Sequence, residues 1–325
     1  MNFCTIVSSN FVHYALNLRE SLLCYNESVR IYILVSDFQE GLKERVETQF
    51  ENTVLMFAEE ICTDGLGKAL SDKYAASFKN TFRWCMKPIL LRYLMEEKGL
   101  DKIIYTDADI RFYSQYQFLF EGLDQHTMLL TPHWRPSDPH TDELQFFTQY
   151  TFGLYNAGFM GVNRQAIPAL EWLAKTNLYI CEVDPCRGQF LDQSHLNLLP
   201  IYFDDVHVLK HKGCNVAGWN VSECKRTLTA DGQVTINHKW PIVFIHYSSH
   251  TVSSIESGID PLLKPHLEEY NRRIGFFGEK LGVKSQPDTT GSPVVVSEND
   301  AVKPSSLFTR VRRFIRRRLI SKLNM

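Results

Sequence analysis

Lys102-Ile103-Ile104-Tyr105-Thr106-Asp107-Ala108-Asp109 is the stretch from which the rest of the chain is read. Its first five residues, rich in β-branched and aromatic side chains, read as a buried strand. Two aspartates follow directly. Alternate side chains of an extended segment project to the same side, so Asp107 and Asp109 face together. Hard divalent cations prefer carboxylate oxygens and share their coordination shell with phosphates, which makes the pair a candidate cation site. Alone the pattern is weak, because a solvated turn carries it too. Its place lifts it: Ile110 and Phe112 come next, so the acids stand between two apolar stretches.

Upstream, Thr5-Ile6-Val7 leads through Ser8-Ser9-Asn10 into apolar positions 15, 18, 22 and 23 at helical spacing. Arg30 to Val35 reads as a continuous buried strand, residues 39–50 as a charged amphipathic helix, and Thr53 to Phe57 as the next strand. This βαβαβ alternation predicts an α/β fold with a parallel sheet, helices on both faces and a ligand at the strand C-termini. The first strand-to-helix turn is not G-x-G-x-x-G and no Walker A sequence is present, which disfavours dinucleotide binding. Residues 82–97 read as one helix with Leu90, Leu91, Leu94 and Met95 on one side and Lys87-Pro88 near its start. Residues 114–250 mix helices, short strands and polar loops, and are expected to carry the far side of the site.

The chain has 325 residues, 44% of them hydrophobic, and a formal net charge of −2. That composition supports a real core and argues against both disorder and a globally basic nucleic-acid binder. Eight scattered cysteines without a C-x-x-C pair are expected to be small buried hydrophobes in a reducing compartment. The start of the chain lacks a basic n-region and long apolar h-region, so no secretory signal is expected. No stretch approaches the roughly 18 apolar residues of a membrane span. Residues 284–304 read as a flexible linker. In 305–325, Leu307, Val311, Phe314, Ile315, Leu319 and Leu323 oppose Arg310, Arg312, Arg313, Arg316, Arg317, Arg318 and Lys322. That pattern predicts a helix lying on an anionic membrane surface, with an RNA-binding or partner-binding tail as the competing reading.

Three later motifs carry chemistry. Asn156-Ala157-Gly158 pairs an amide that donates and accepts with a glycine permitting close approach, which suits sugar hydroxyls and equally a plain turn. Asp192-Gln193 can bind sugar hydroxyls, or Asp192 can cap a helix over 193–198. His246 ends the run Ile242-Val243-Phe244-Ile245. A lone histidine there is usually structural, but beside an upstream Asp-x-Asp it completes a metal site, and Mn²⁺ accepts nitrogen more readily than Mg²⁺. The loop from His133 to His140 can touch an acceptor and reads equally as a proline-rich surface connection; Trp219 and Trp240 can stack on sugar rings, but most tryptophans are simply large core or rim residues.

The order of these motifs over roughly residues 1–250 resembles the GT-A glycosyltransferases, and within them the bacterial family-8-like, galactosyltransferase-type enzymes. The resemblance implies a Rossmann-like mixed sheet and retaining transfer from a UDP-sugar with Mn²⁺, or Mg²⁺, held by Asp107, Asp109 and His246. It places Thr5, Val7, Ser8 and Asn10 in the uridine pocket, Ala108 with the aspartates against the nucleotide, and Lys87 near the phosphates or sugar. It sets Asn156, Gly158, Asp192 and Gln193 facing the donor sugar, with Asp192 or Gln193 stabilising the reaction centre. Two departures stand out. Ser8 replaces the aspartate common there, and Tyr247-Ser248-Ser249-His250 replaces the Gly-x-x-Lys-Pro-Trp run, leaving Lys264 as a possible substitute lysine.

The resulting expectation is a GT-A domain over 1–283, a linker over 284–304 and a basic membrane-associating helix over 305–325. The activity expected is transfer of a hexose or N-acetylhexosamine from UDP to a hydroxyl of a glycan or lipid-linked glycan. Its setting is bacterial lipopolysaccharide or capsule synthesis at the inner face of the cytoplasmic membrane, without nucleic acid. The rivals are a sugar-1-phosphate nucleotidyltransferase, which would want a glycine-rich basic loop where Ser8-Ser9-Asn10 stands, and a non-catalytic glycan-binding scaffold of the same fold.

Overall fold

Strands β1 (Asn2–Val7), β2 (Arg30–Val35), β3 (Thr53–Phe57) and β4 (Lys102–Thr106) are buried along nearly their whole length. Such continuous apolar runs suit a parallel sheet covered on both faces, with successive side chains entering opposite layers. Phe3 joins Leu16, Ile33 and Phe277 in one layer, while Cys4 joins Tyr32, Leu90 and Leu170 in the other. The computed structural model describes residues 1–283; the linker and basic helix read over 284–325 lie outside them.

The chain continues through β5 (Ile110–Phe112), β6 (Met128–Pro132) and β7 (Tyr155–Asn163). The main sheet has the order Val206–Val208, β6, β7, β4, β1, β2, β3. β1 is parallel to β2 and β4, and β2 to β3. β7 runs antiparallel to both β4 and β6, which makes the sheet mixed and leaves β4 and β6 ending on the same edge. This is the mixed, mainly parallel α/β sheet expected.

Helices Val12–Leu23 and Lys264–Leu281 pack together on one face, and Lys87–Glu96 and Ile167–Tyr179 on the other. Arg111, buried on β5, ties the first pair to that strand. Its guanidinium lies 3.3 Å from Glu20 and 2.9 Å from Glu269, and it donates to the Asn17 side chain at 2.6 Å.

The single helix read over 82–97 is two, Lys79–Cys85 and Lys87–Glu96, joined at Met86. Pro88 is the cause: it has no amide hydrogen to donate, and its ring crowds the carbonyl four residues back, so it is accommodated only in a first turn. The eight cysteines are all free; Cys24 and Cys186 are exposed, which departs from the expectation of buried thiols. No helix of the described residues is long and apolar enough to cross a membrane.

Candidate active site

β4 carries its ladder one residue past its end, where the Asp107 amide donates to the Gly158 carbonyl at 2.8 Å. The chain then turns at Asp107-Ala108-Asp109 and re-enters the sheet region as β5. β5 pairs antiparallel with the strand Phe244–His246, setting His246 opposite Ile110. The Tyr247 amide donates to the Asp109 carbonyl at 2.8 Å. Backbone pairing thus delivers the three expected residues to one place, with one ligand atom from each within 4.8 Å of the others.

The donor set fits a divalent cation. Asp109 Oδ1 is buried without a hydrogen-bond donor and lies 3.2 Å from His246 Nε2. Burial would lower the His246 pKa, but the facing Asp109 carboxylate outweighs it and raises the pKa. Burial would likewise raise Asp109, and His246 more than offsets it, so that pKa falls. Both shifts mark a spot that favours positive charge between the imidazole and the carboxylate.

A chain of hydrogen bonds sets which nitrogen of His246 faces that spot. Gln193 Nε2 donates to the Phe152 carbonyl at 2.7 Å, while Gln193 Oε1 accepts from the Ala157 amide at 3.1 Å and from Asn156 Nδ2 at 3.4 Å. Asn156 Oδ1 accepts from the Gly158 amide at 3.0 Å. Backbone groups can act in one sense only, so both side-chain amides have a fixed orientation. Asn156 Oδ1 can therefore only accept from His246 Nδ1, 3.2 Å away. The Nε2 lone pair is left facing the aspartates, the usual outer-shell arrangement for a ligating histidine.

The same logic holds His133 neutral. Its Nδ1 donates to the Gly153 carbonyl at 2.9 Å and its Nε2 accepts from Asn156 at 3.3 Å. Burial, with the nearby Arg135 charge second, lowers its pKa to about 3.

Lys87 sits beneath the site with only 3% of its side chain exposed, 3.1 Å from Asp192 and 3.6 Å from Asp107. It donates to the Ala157 carbonyl at 2.9 Å, and Tyr105 donates its hydroxyl to Asp107 at 2.6 Å. Lys87 therefore joins the two carboxylates from below. Burial raises the pKa of Asp192 against the opposing pull of Lys87. Asp192 occupies the N-cap of the short 3-10 helix Gln193–Leu198 but makes no side-chain capping bond, so the capping alternative is replaced by the Lys87 ion pair.

At the end of β1, Thr5 and Val7 are buried. Ser8 donates to the Asn10 side chain at 2.7 Å, and Ser9 donates its amide and hydroxyl to Asp37 at 2.8 and 2.6 Å. Ala108 is partly buried and packs against the apolar layer that includes Phe3. Lys264 is exposed at the start of its helix.

Sequence reasoning set aside His133 and Trp219, yet both belong to this cluster. The Trp219 ring lies edge-on to His246 at 5.3 Å and to His133 at 5.7 Å. Trp240 instead contacts His211 at 4.4 Å. The usable signal for His133 was positional, since it follows β6 as the aspartates follow β4 and the two strands end on one edge.

No family model matches the chain. It is 25% identical over 258 residues, 78% of this chain and 82% of the relative, to the uncharacterized protein YfnF of Bacillus subtilis (strain 168). It is 26% identical over 257 residues, 77% and 78% of the two chains, to YfnD of the same organism. Among solved structures it is similar to galactosyltransferase LgtC in complex with donor and acceptor sugar analogs. The TM-score there is 0.50 at 13% identity, covering 89% of this chain and 98% of that one. The chain therefore has the GT-A fold of the glycosyltransferases.

Proposed function

We propose that this protein is a metal-dependent glycosyltransferase of the family-8-like, galactosyltransferase type. It moves a hexose or N-acetylhexosamine from a UDP-sugar to a hydroxyl of a glycan or lipid-linked glycan with retention, in bacterial cell-surface polysaccharide or lipopolysaccharide synthesis. The observation that carries the reading is the convergence of Asp107, Asp109 and His246 at the C-terminal edge of the sheet, with His246 Nε2 turned toward the carboxylates by Asn156.

A Mn²⁺ or Mg²⁺ ion held by these three residues would neutralise charge on the departing diphosphate. In this reading Thr5, Val7, Ser8 and Asn10 line the base pocket, and Ala108 lies against the nucleotide. Gly158 and Asn156 face the donor sugar with Asp192. Gln193 acts by holding Asn156 and the Ala157 amide, since its carbonyl oxygen is already engaged there. Lys87 bridges Asp107 and Asp192 and orients them. The acceptor oxygen bonds to the anomeric carbon on the face from which UDP departs, and its proton leaves with the diphosphate. The basic segment 305–325 would tether the enzyme to the inner face of the cytoplasmic membrane.

The test is calorimetric titration of UDP into wild type and Asp109→Ala, each with and without Mn²⁺. Binding by wild type only with metal, lost in the variant, is the expected result. Metal-independent binding that the variant retains would remove the aspartates from the mechanism.

A further inference from the structure

Arg135 is a cation without an anion. Among the described residues no carboxylate forms an ion pair with it, and its Nε is buried without a hydrogen-bond partner. A terminal nitrogen of its guanidinium donates to the side-chain carbonyl of Gln145, a neutral group. Burial lowers its pKa to about 10, with only Asp142 opposing from a distance. Taking a guanidinium out of water without a partner is costly. A site that carries such a charge is organised for something the free protein does not contain.

Its placement says what. The guanidinium carbon lies 5.6 Å from the Phe152 ring and 6.0 Å from the Trp219 ring, so two aromatic side chains hold it. Trp219 also touches His246, and its own Nε1 is buried and unpartnered. Two unsatisfied donors therefore lie one aromatic ring away from the metal ligands. Arg135 is on the loop that follows β6, on the far side of β4 from the base-side strand β1, and Trp219 comes to it from the short turn Gly218–Asn220. A diphosphate bound to the cation site belongs beside Asp107, Asp109 and His246, whereas Arg135 is set back from them behind the Trp219 ring.

We propose that Arg135 recognises a phosphate ester carried by the acceptor. The inference rests on the transferase reading above and deepens it by naming the acceptor's chemical class. A planar guanidinium fork matches two phosphate oxygens at once. Beside it, the helix Glu143–Phe152 presents Leu144, Phe147 and Tyr150 to solvent at three-residue spacing, and Gln145 of the same helix holds the arginine. The phosphate can therefore come from a soluble sugar phosphate or from a phosphate that joins a glycan to an apolar chain.

Full-length wild type, Arg135→Gln and Arg135→Lys would be titrated with methyl phosphate and octyl phosphate, in the presence and absence of saturating UDP and Mg²⁺. UDP affinity is measured for each protein. The expected result is methyl phosphate binding by UDP-loaded wild type, weakened roughly tenfold or more in Arg135→Gln and partly kept in Arg135→Lys. Tighter binding of octyl than methyl phosphate, with the gain lost in Phe147→Ser, identifies a lipid-linked source. Equal binding identifies a soluble one. Equal affinity of wild type and Arg135→Gln for methyl phosphate overturns the proposal. So does loss of UDP binding in Arg135→Gln with Arg135→Lys restoring it, because the charge would then serve the donor. Methyl phosphate binding through Arg135 in a protein that never binds UDP leaves the anion site standing and sinks the transferase reading alone.

Discussion

Gly158→Ala is the sharpest test of the metal site, because one methyl group reaches three of its members at once. A Cβ at Gly158 would lie 2.6 Å from His246 Cε1, 2.7 Å from Asn156 Oδ1 and 3.0 Å from Asp107 Oδ2. Ordinary carbon contacts begin at about 3.5 Å, so the ring and the amide must each retreat by about an ångström. Neither can do so cheaply. His246 is 6% exposed and hydrogen-bonded to Asn156, and Asn156 is 6% exposed and held by Gln193. Overpacking of this kind costs about 1–3 kcal/mol of stability. Misplacing a ligating histidine and its partner costs about 10- to 100-fold in metal affinity. Gly161→Ala is the matched control, three residues along β7 and on the opposite face, where a Cβ would meet Leu129 Cβ at 3.2 Å in the apolar core. Free Mn²⁺ measured by electron paramagnetic resonance in the presence of UDP, beside urea unfolding of each variant, separates the two effects. Both should lose stability and only Gly158→Ala should lose metal. If Gly158→Ala binds Mn²⁺ as wild type does, or Gly161→Ala loses as much, the assignment of the ligands is wrong.

Other outcomes follow from buried charge. Lys87→Met leaves the Asp107 and Asp192 carboxylates without the cation between them and should destabilise the fold by about 3–5 kcal/mol in urea titration. Adding Asp192→Leu should recover part of that loss, and no recovery would mean the two residues are not coupled. Stability should also fall in mild acid. Burial lowers the His13 pKa to about 4 and that of His133 to about 3, both below the ordinary value. Between about pH 6.5 and those values the unfolded chain binds protons that the folded one refuses, so stability present at pH 7 is lost as pH drops. At pH 5 each histidine contributes a loss of up to about 2 kcal/mol. His13→Asn should flatten the decline between pH 7 and pH 5, and an unchanged slope would show that His13 titrates freely in the native state.

The fold was legible because its strands are buried on both faces and so appear as unbroken apolar runs. β1, β2, β3 and β4 match the sequence reading closely. The meeting of the three proposed ligands was legible because strand ends deliver side chains to one edge: Asp107 and Asp109 follow β4, and His246 closes its own short strand. What stayed hidden depends on meetings between distant segments. Lys87 was expected near the phosphates or sugar, and nothing near it in sequence announces the ion pair with Asp192. Trp219 and His133 read as core or rim and as loop until the fold sets Trp219 against His246, with His133 held by Trp219 and Asn156. The break at Met86 was missed because apolar spacing continues across it, while the missing amide of Pro88 has no periodic signature.

The pairing of β5 with Phe244–His246 also fixes an order of events during synthesis. A chain emerged as far as β7 already contains both aspartates, Asn156 and Gly158, yet it lacks His246 to complete the set, and β5 has no strand to pair with. Closing so long a loop carries an entropic cost that local strand and helix formation does not. A cation that needs all three ligands therefore cannot nucleate this fold. It can only lock the chain once the part containing His246 has emerged, so the appearance of metal-dependent protection against proteolysis would date the arrival of His246 and not the formation of the first strands.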